Sequence, residues 1–255
     1  MKVIIIAAGS STRLAKETLD IPKGMLKIND KSIIEIQLDL FKKNQLSDIT
    51  IITGPDKQKF ELKNVNYIQD YEFQNHDVLG SLLAARSIMN DDILISYSDI
   101  IFDKNILQSM LDFKGDIGIA VDLNWEKNYV NRTQHPKSEA DNVLMEKNKI
   151  LKIKKNMIDH YSKHNLGEFV GLMKLSKNGA KVFIEKFNDL TKFHRGKFHD
   201  AASIKKAYLT DMIQELVDSG FSVEPVIING KWCEIDTPED LERVRKNIQK
   251  FEIDL

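Results

Sequence analysis

The chain reads first as alternating blocks. Val3–Ala7 is an unbroken apolar run rich in β-branched residues, and it breaks into the small residues Ala8-Gly9-Ser10-Ser11-Thr12. A run without alternation predicts a strand buried on both faces. Ser32–Lys43 then carries apolar residues at helical spacing. Asp48–Thr53 reads as a second strand, stopped by Gly54-Pro55, and Val65–Gln69 as a short third. Asp77–Met89 predicts a helix with a small-residue face, and Ile93–Tyr97 a fourth strand. Strand–helix–strand repetition of this kind predicts a mostly parallel sheet with crossover helices, an α/β fold. After Ile117–Val121 the pattern changes. Two short alternating runs around Lys147-Asn148-Lys149 predict a hairpin, and the polar stretch 155–165 predicts a loop or lid. Gly167–Leu175 returns to strand, followed by helices at Lys177–Asn188 and Ile204–Asp218 and a strand at Ser222–Ile228. Thr237-Pro238-Glu239-Asp240 has the form of a helix start: a threonine cap, proline in the first turn and acids at the positive end of the dipole. With no internal repeat, linker or low-complexity tract, residues 1–255 are expected to form one domain, with an insertion at about 122–165.

Composition narrows the classes. The 255 residues include 37 Lys and Arg against 38 Asp and Glu, a net charge of −1, so neither a nucleic-acid nor a membrane partner is expected. The single cysteine, Cys233, excludes an internal disulfide and fits a reducing, cytoplasmic setting. A buried structural role suits it better than that of a nucleophile. The six histidines include no HExxH pattern, which argues against zinc.

The first loop carries the strongest chemistry. In an open parallel sheet, ligands sit at the carboxyl ends of the strands. A small-residue loop there lets backbone N–H groups approach a polyanion. The loop is neither G-x-G-x-x-G nor a Walker A sequence. It ends in Arg13, and Pro22-Lys23 follows, the lysine ten positions after the arginine. A guanidinium forks onto phosphate oxygens whereas an ammonium acts as a mobile point charge, a division of labour suited to a triphosphate.

The string IIIAAGSSTRL…IPKGML, with its arginine-to-lysine spacing, resembles the signature of sugar-phosphate and phosphocholine nucleotidyltransferases. The resemblance implies a Rossmann-like α/β fold and a reaction joining a nucleoside triphosphate to a phosphorylated acceptor with release of pyrophosphate. Arg13 and Lys23 become the catalytic candidates, and Ala7, Ala8, Gly9, Ser10, Ser11 and Thr12 the nucleotide-binding loop. Two carboxylates are expected to hold Mg2+: Asp99, after the fourth strand, where the family usually has Gly-Asp and this chain has Ser98-Asp99, and Asp236, from WCEIDTPEDLERV near the carboxyl end. YEFQNHDVLGSLLAAR resembles the family's base and ribose contact, which assigns Asn75, Gly80 and Ser81 to the nucleotide. In the choline-phosphate and phosphonate branch that nucleotide is usually CTP.

The acceptor side is expected in DLNWEKNYVNRTQHPKSEADNV. Trp125, Tyr129 and Arg132 fall at i, i+4 and i+7, so a helical turn places them on one face. Similar strings occur in cytidylyltransferases of phosphonate and capsule-decoration pathways. By that resemblance Arg132 grips the acceptor's phosphoryl group, and Asp122 and Glu168 face its polar or cationic end. Trp125, Tyr129 and Trp232 would line a cation cage. The expected partners are CTP and a small phosphorylated or phosphonate acceptor, of phosphocholine, 2-aminoethylphosphonate or phosphoglutamine type, in a monomer or homodimer. Three rivals remain at this point. A sugar-1-phosphate uridylyl- or thymidylyltransferase shares the motifs, an A-type glycosyltransferase normally carries D-x-D where this chain has Asp99-Ile-Ile-Phe-Asp103, and a silent nucleotide sensor has no need of a metal pair.

Overall fold

The computed structural model describes residues 1–9, 14, 21–55, 57–157, 165–229 and 231–248. The chain forms β1 (Lys2–Ala7), the two-residue strands β2 (Lys27–Ile28) and β3 (Lys31–Ser32), α1 (Ile33–Lys43), β4 (Ile49–Thr53), β5 (Asn66–Gln69), α2 (Val78–Ala84), β6 (Ile93–Tyr97), β7 (Ile100–Phe102), α3 (Lys104–Asp112) and β8 (Ile117–Asp122). It continues with β9 (Asp141–Glu146), β10 (Lys149–Lys155), β11 (Leu166–Leu175), α4 (Lys177–Phe193), α5 (Leu209–Asp218), β12 (Glu224–Ile227), β13 (Trp232–Glu234) and α6 (Pro238–Asn247).

Among the described residues the main sheet has nine strands. Seven run in the order β10-β9-β11-β6-β1-β4-β5, and β8 joins β11 to β12. β1 pairs in parallel with both β4 and β6, Ile5 lying opposite Ile51 on one side and Ser96 on the other. The connection from β1 leads to β4 on one side, and the later crossover through α2 returns to β6 on the opposite side. The strand order therefore reverses between β1 and β6, and a crevice opens beyond their carboxyl ends.

Alternation along β1 sends its side chains to two cores. Ile4 and Ile6 pack with Leu79 and Leu82 of α2, Phe183 of α4 and Met212 of α5. Val3 and Ile5 pack on the other face with Ile34, Leu38 and Phe41 of α1 and Ile106 of α3. Both faces are covered, which is why the first strand is apolar throughout. The predicted hairpin is β9–β10, and it extends the main sheet through β11. The predicted final helix is α6, with Thr237 capping it reciprocally with Asp240.

Four predicted helical segments differ in extent, and the one expected over Lys177–Asn188 runs on to Phe193. The one expected over Asp77–Met89 ends at Ala84 and continues as a 3₁₀ turn, Arg86–Ile88. The one expected from Ile204 begins at Leu209, because extended backbone at Tyr208 separates it from a short 3₁₀ turn at Ile204–Lys206. The turn at Trp125 is 3₁₀, and the chain leaves it in extended conformation at Val130, so Arg132 is not on a shared helical face with Trp125 and Tyr129. Residues 158–164 of the expected lid lie outside the described residues.

Candidate active site

Pro22, with its φ fixed near −61°, leads into a single 3₁₀ turn, Lys23–Met25, at the crevice. A Cβ on Gly24 would lie 2.6 Å from Ile34 Cδ1 and 3.1 Å from Ser98 Cβ, so glycine lets this turn sit against α1 and the residue after β6 without displacing the Ile34 side chain. That close approach brings Lys23 beside Asp99. Its ammonium donates to Asp99 Oδ2 at 2.6 Å and also to Asp236 Oδ1. Burial opposes the charge on Lys23, but the carboxylates of Asp99, Asp236 and Glu234 outweigh it and raise the pKa above that of an ordinary lysine. The three residues that the sequence placed far apart thus form one cluster.

The cluster forms part of the lining of a cavity of about 300 Å³ in the crevice, together with Ala7 at the end of β1, Gly9 beyond it and Ser98 after β6. Ala8 is buried beside Gly54. Ser10, Ser11, Thr12 and Arg13 lie outside the described residues. Asp99 Oδ1 is buried with no hydrogen-bond donor among the described residues. An orphaned carboxylate oxygen beside a second carboxylate is a hard, anionic donor set that fits Mg2+.

Glu234, two residues before Asp236, was not singled out by sequence. Burial, with Asp236 and Asp99 nearby, pushes its carboxyl up to about 8. Its signal was the i, i+2 spacing of Trp232, Glu234 and Asp236, which alternation places on one side. Lys155 and Tyr208 also line the cavity, though they stand in no motif. His135, Glu234 and Asp236 bring donor atoms within 4.8 Å of one another. Arg132 Nη2 lies 3.2 Å from His135 Nδ1 and 3.4 Å from Glu234 Oε2, so the positive charge in that cluster is already supplied by a guanidinium.

A smaller chamber of about 40 Å³ adjoins the main cavity, sharing Tyr97, Asp141 and Glu234 with it. Tyr129, Glu168 and Trp232, three of the residues expected at the acceptor, line it. Tyr129 donates its hydroxyl to Glu168 Oε1, while Glu168 Oε2 is buried with no partner among the described residues. Burial holds the Glu168 carboxyl well above the ordinary range.

Burial likewise pushes the Asp141 carboxyl up to about 6 from 3.8, with Asp211 and Glu139 adding to the shift and Lys155 opposing it. The folded state holds that proton more tightly than the unfolded chain does. Folding is therefore penalised increasingly as pH rises through this window, and fully above it. Asp141→Asn is expected to raise Tm at about pH 8 and leave it nearly unchanged at about pH 4. Thermal melts at the two values check this, and an equal shift at both refutes it.

Six expected contacts are placed elsewhere. Asp122 accepts from Trp232 Nε1 at 2.8 Å and from the Asn124 amide at 2.7 Å, and it lines a separate cleft that shares only Trp232 with the chamber. Trp125 is buried against Tyr129, Ala140, Met157 and Leu166, where its indole forms the apolar centre of the insertion. Arg132 forks onto Asp240, which is fully buried and would otherwise be an uncompensated charge. On the nucleotide side, Asn75 is bonded to Glu72 at the surface and Ser81 Oγ to buried Asp70. The His76 ring, itself 3.1 Å from Asp70, covers Gly80 so closely that a Cβ there would meet it at 2.3 Å. Helix α2 reaches the cavity through Val78 instead. Cys233 is buried, its thiol pushed up to about 12 by burial, as a structural cysteine should be.

Residues 3–140 match the MobA-like NTP transferase domain. The chain belongs to that family. The CTP:phosphoglutamine cytidylyltransferase of Campylobacter jejuni is 26% identical over 95% of this chain and 98% of its own length. The choline-phosphate cytidylyltransferase of Streptococcus pneumoniae is 30% identical over 44% of this chain, a match spanning half of that relative. Among solved structures, the inositol-1-phosphate CTP transferase from T. maritima superposes with a TM-score of 0.71 at 19% identity, covering 100% of this chain and 97% of that one. This NTP transferase therefore shares its fold with proteins of the same class, with the Lys23–Asp99–Asp236 cluster at the topological switch point of the sheet. Among the described residues no helix is long and apolar enough to cross a membrane.

Proposed function

We propose that this NTP transferase joins CTP to a small phosphorylated or phosphonate acceptor and releases pyrophosphate. The observation that carries the reading is the cluster in which Lys23 joins Asp99 and Asp236 at the mouth of the crevice. The cytidylyltransferase names of the C. jejuni and S. pneumoniae relatives support the choice of nucleotide. An acceptor phosphate has its second pKa near about 6 and is ionised at neutral pH, so the reaction needs no general base. One of its oxygens attacks the α-phosphorus, the bond from that phosphorus to the bridging oxygen breaks, and the electron pair leaves on pyrophosphate. Lys23 meets the charge that develops on the α-phosphate, and Arg13 binds the β- and γ-phosphates. Asp99 and Asp236 would hold Mg2+, which when bound neutralises the triphosphate.

The adjoining chamber takes the acceptor's far end. Burial raises both the Glu168 and the Glu234 carboxyls, and Glu168 retains an oxygen with no partner among the described residues. A cation seated against Tyr129 and Trp232, an ammonium donating to that oxygen or a quaternary ammonium facing it by charge alone, stabilises the ionised carboxylate as a neutral sugar hydroxyl does not. This favours amine- or choline-type acceptors over sugar phosphates.

The test is pyrophosphate release with Mg2+, crossing CTP, UTP, ATP and dTTP with phosphocholine, 2-aminoethylphosphonate, phosphoethanolamine, phosphoglutamine and glucose-1-phosphate. Release confined to CTP with a non-sugar acceptor is expected. Release with UTP or dTTP and the sugar phosphate overturns the acceptor and nucleotide assignment, and nucleotide binding without any release overturns the enzyme reading.

A further inference from the structure

The segment 129–135 leaves the acceptor chamber and is fastened at several points to the start of α6. Arg132 Nε donates to Asp240 Oδ1 at 2.6 Å and Nη2 to Asp240 Oδ2 at 2.8 Å, a two-pronged pair with both side chains buried. Asp240 Oδ2 also accepts from the backbone N–H of Asp236 at 3.1 Å and of Thr237 at 3.0 Å. The guanidinium and the Asp236 amide therefore share one oxygen. The Asp236 side chain is held from the same segment, its Oδ2 lying 3.1 Å from His135 Nδ1. Thr133 and Gln134 donate their backbone N–H groups to the Glu239 carboxylate at 2.8 and 2.9 Å. At its other end the segment carries Tyr129, bonded to Glu168 in the chamber, with the Arg132 guanidinium 5.2 Å from the centre of the Tyr129 ring.

We infer that Arg132 and His135 are positioning residues that fix Asp236 for metal binding and tie it to the wall of the acceptor chamber. The inference rests on the nucleotidyl-transfer reading for its consequence but not for its geometry. Arg132 does not reach for the acceptor: its two donors on Asp240 are engaged, and releasing them would leave a fully buried carboxylate without its counter-charge. The arrangement sets the Asp236 carboxylate through two routes, one by the backbone at Asp240 and one by the side chain at His135. A residue that only packed the insertion would have neither route.

The test uses Arg132→Lys, which keeps the charge and loses the fork, and His135→Phe, which keeps a ring and loses the nitrogen beside Asp236. Mn2+ alone is titrated calorimetrically into the nucleotide-free full chain, with circular-dichroism melts to confirm folding. Both variants are expected to bind Mn2+ about 10- to 100-fold more weakly than the parent, the range for removing a group that orients a metal ligand. The KM for the acceptor should change far less. If Arg132 grips the acceptor's phosphoryl group, Arg132→Lys raises the acceptor KM and leaves Mn2+ affinity unchanged, and the inference is overturned. Unchanged Mn2+ affinity in folded His135→Phe overturns it equally, even if Arg132→Lys does not fold. No Mn2+ binding by the parent removes the metal role of Asp236 and the inference with it. Weakened Mn2+ binding in the variants, alongside a parent that releases no pyrophosphate with any substrate pair, supports the inference and sinks the nucleotidyl-transfer reading instead.

Discussion

Lys23→Ala is expected to reduce kcat by about 10²- to 10³-fold with little change in the KM for CTP. The split follows from where the ammonium sits. Lys23 is not an exposed phosphate anchor: it is half-buried between Asp99 and Asp236, 2.6 Å from the former, on a turn whose Gly24 lies against Ser98 after β6. A cation so placed meets charge that grows on the α-phosphate during the reaction more than charge already present in the ground state. The same substitution leaves two carboxylates facing each other without their shared counter-charge. The variant should therefore melt lower than the parent without divalent ions and gain more from added Mg2+. A steady-state assay at saturating substrates, together with melts at several Mg2+ concentrations, checks both parts. An undiminished kcat removes Lys23 from the chemistry.

Asp236→Asn is expected to lower turnover by at least about 10²-fold, since several kcal/mol of charge stabilisation is at stake at a metal ligand. The fold should persist. Asparagine keeps the shape of the side chain and an oxygen for Lys23, and the backbone N–H of residue 236 still finds Asp240 Oδ2. Retained melting with lost turnover separates a site defect from a folding defect. Turnover that survives at ordinary Mg2+ concentrations shows that the second metal-binding carboxylate lies elsewhere, with Glu234 the next candidate because it lines the same cavity. The two substitutions attack opposite charges of one cluster, so their effects should not add.

Much of this was legible along the chain. The unbroken run of β1, the helical spacing of α1 and the Thr-Pro-Glu-Asp start of α6 are local patterns, and each appears where the pattern put it. Local hydrogen bonding and side-chain periodicity act over a few residues, so a few residues suffice to announce them. The motif residues Lys23, Asp99 and Asp236 were also legible, through the resemblance of their surrounding strings to the nucleotidyltransferase signature. The short segment β7–α3 was not read separately, since it follows β6 with only a tight turn between.

Several contacts turned on side-chain partners that neither spacing nor motif names. The spacing of Trp125, Tyr129 and Arg132 suggested one helical face, but the chain leaves the 3₁₀ turn at Val130 and Arg132 meets Asp240, 108 residues on. Gly80 looked like a seat for a base until the His76 ring was found over it, held there by Asp70. Asp122 and Glu168 looked alike as carboxylates, yet the Trp232 indole claims the first while the second lines the chamber. The sequence by itself determined the α/β alternation, because that follows from local pattern, and its resemblance to the nucleotidyltransferase signature named Lys23, Asp99 and Asp236. Tertiary structure alone decided which charges are already neutralised within the protein and which remain for a ligand. A buried ionic group takes whichever partner the fold brings within about 3 Å, and neither composition nor spacing encodes that distance.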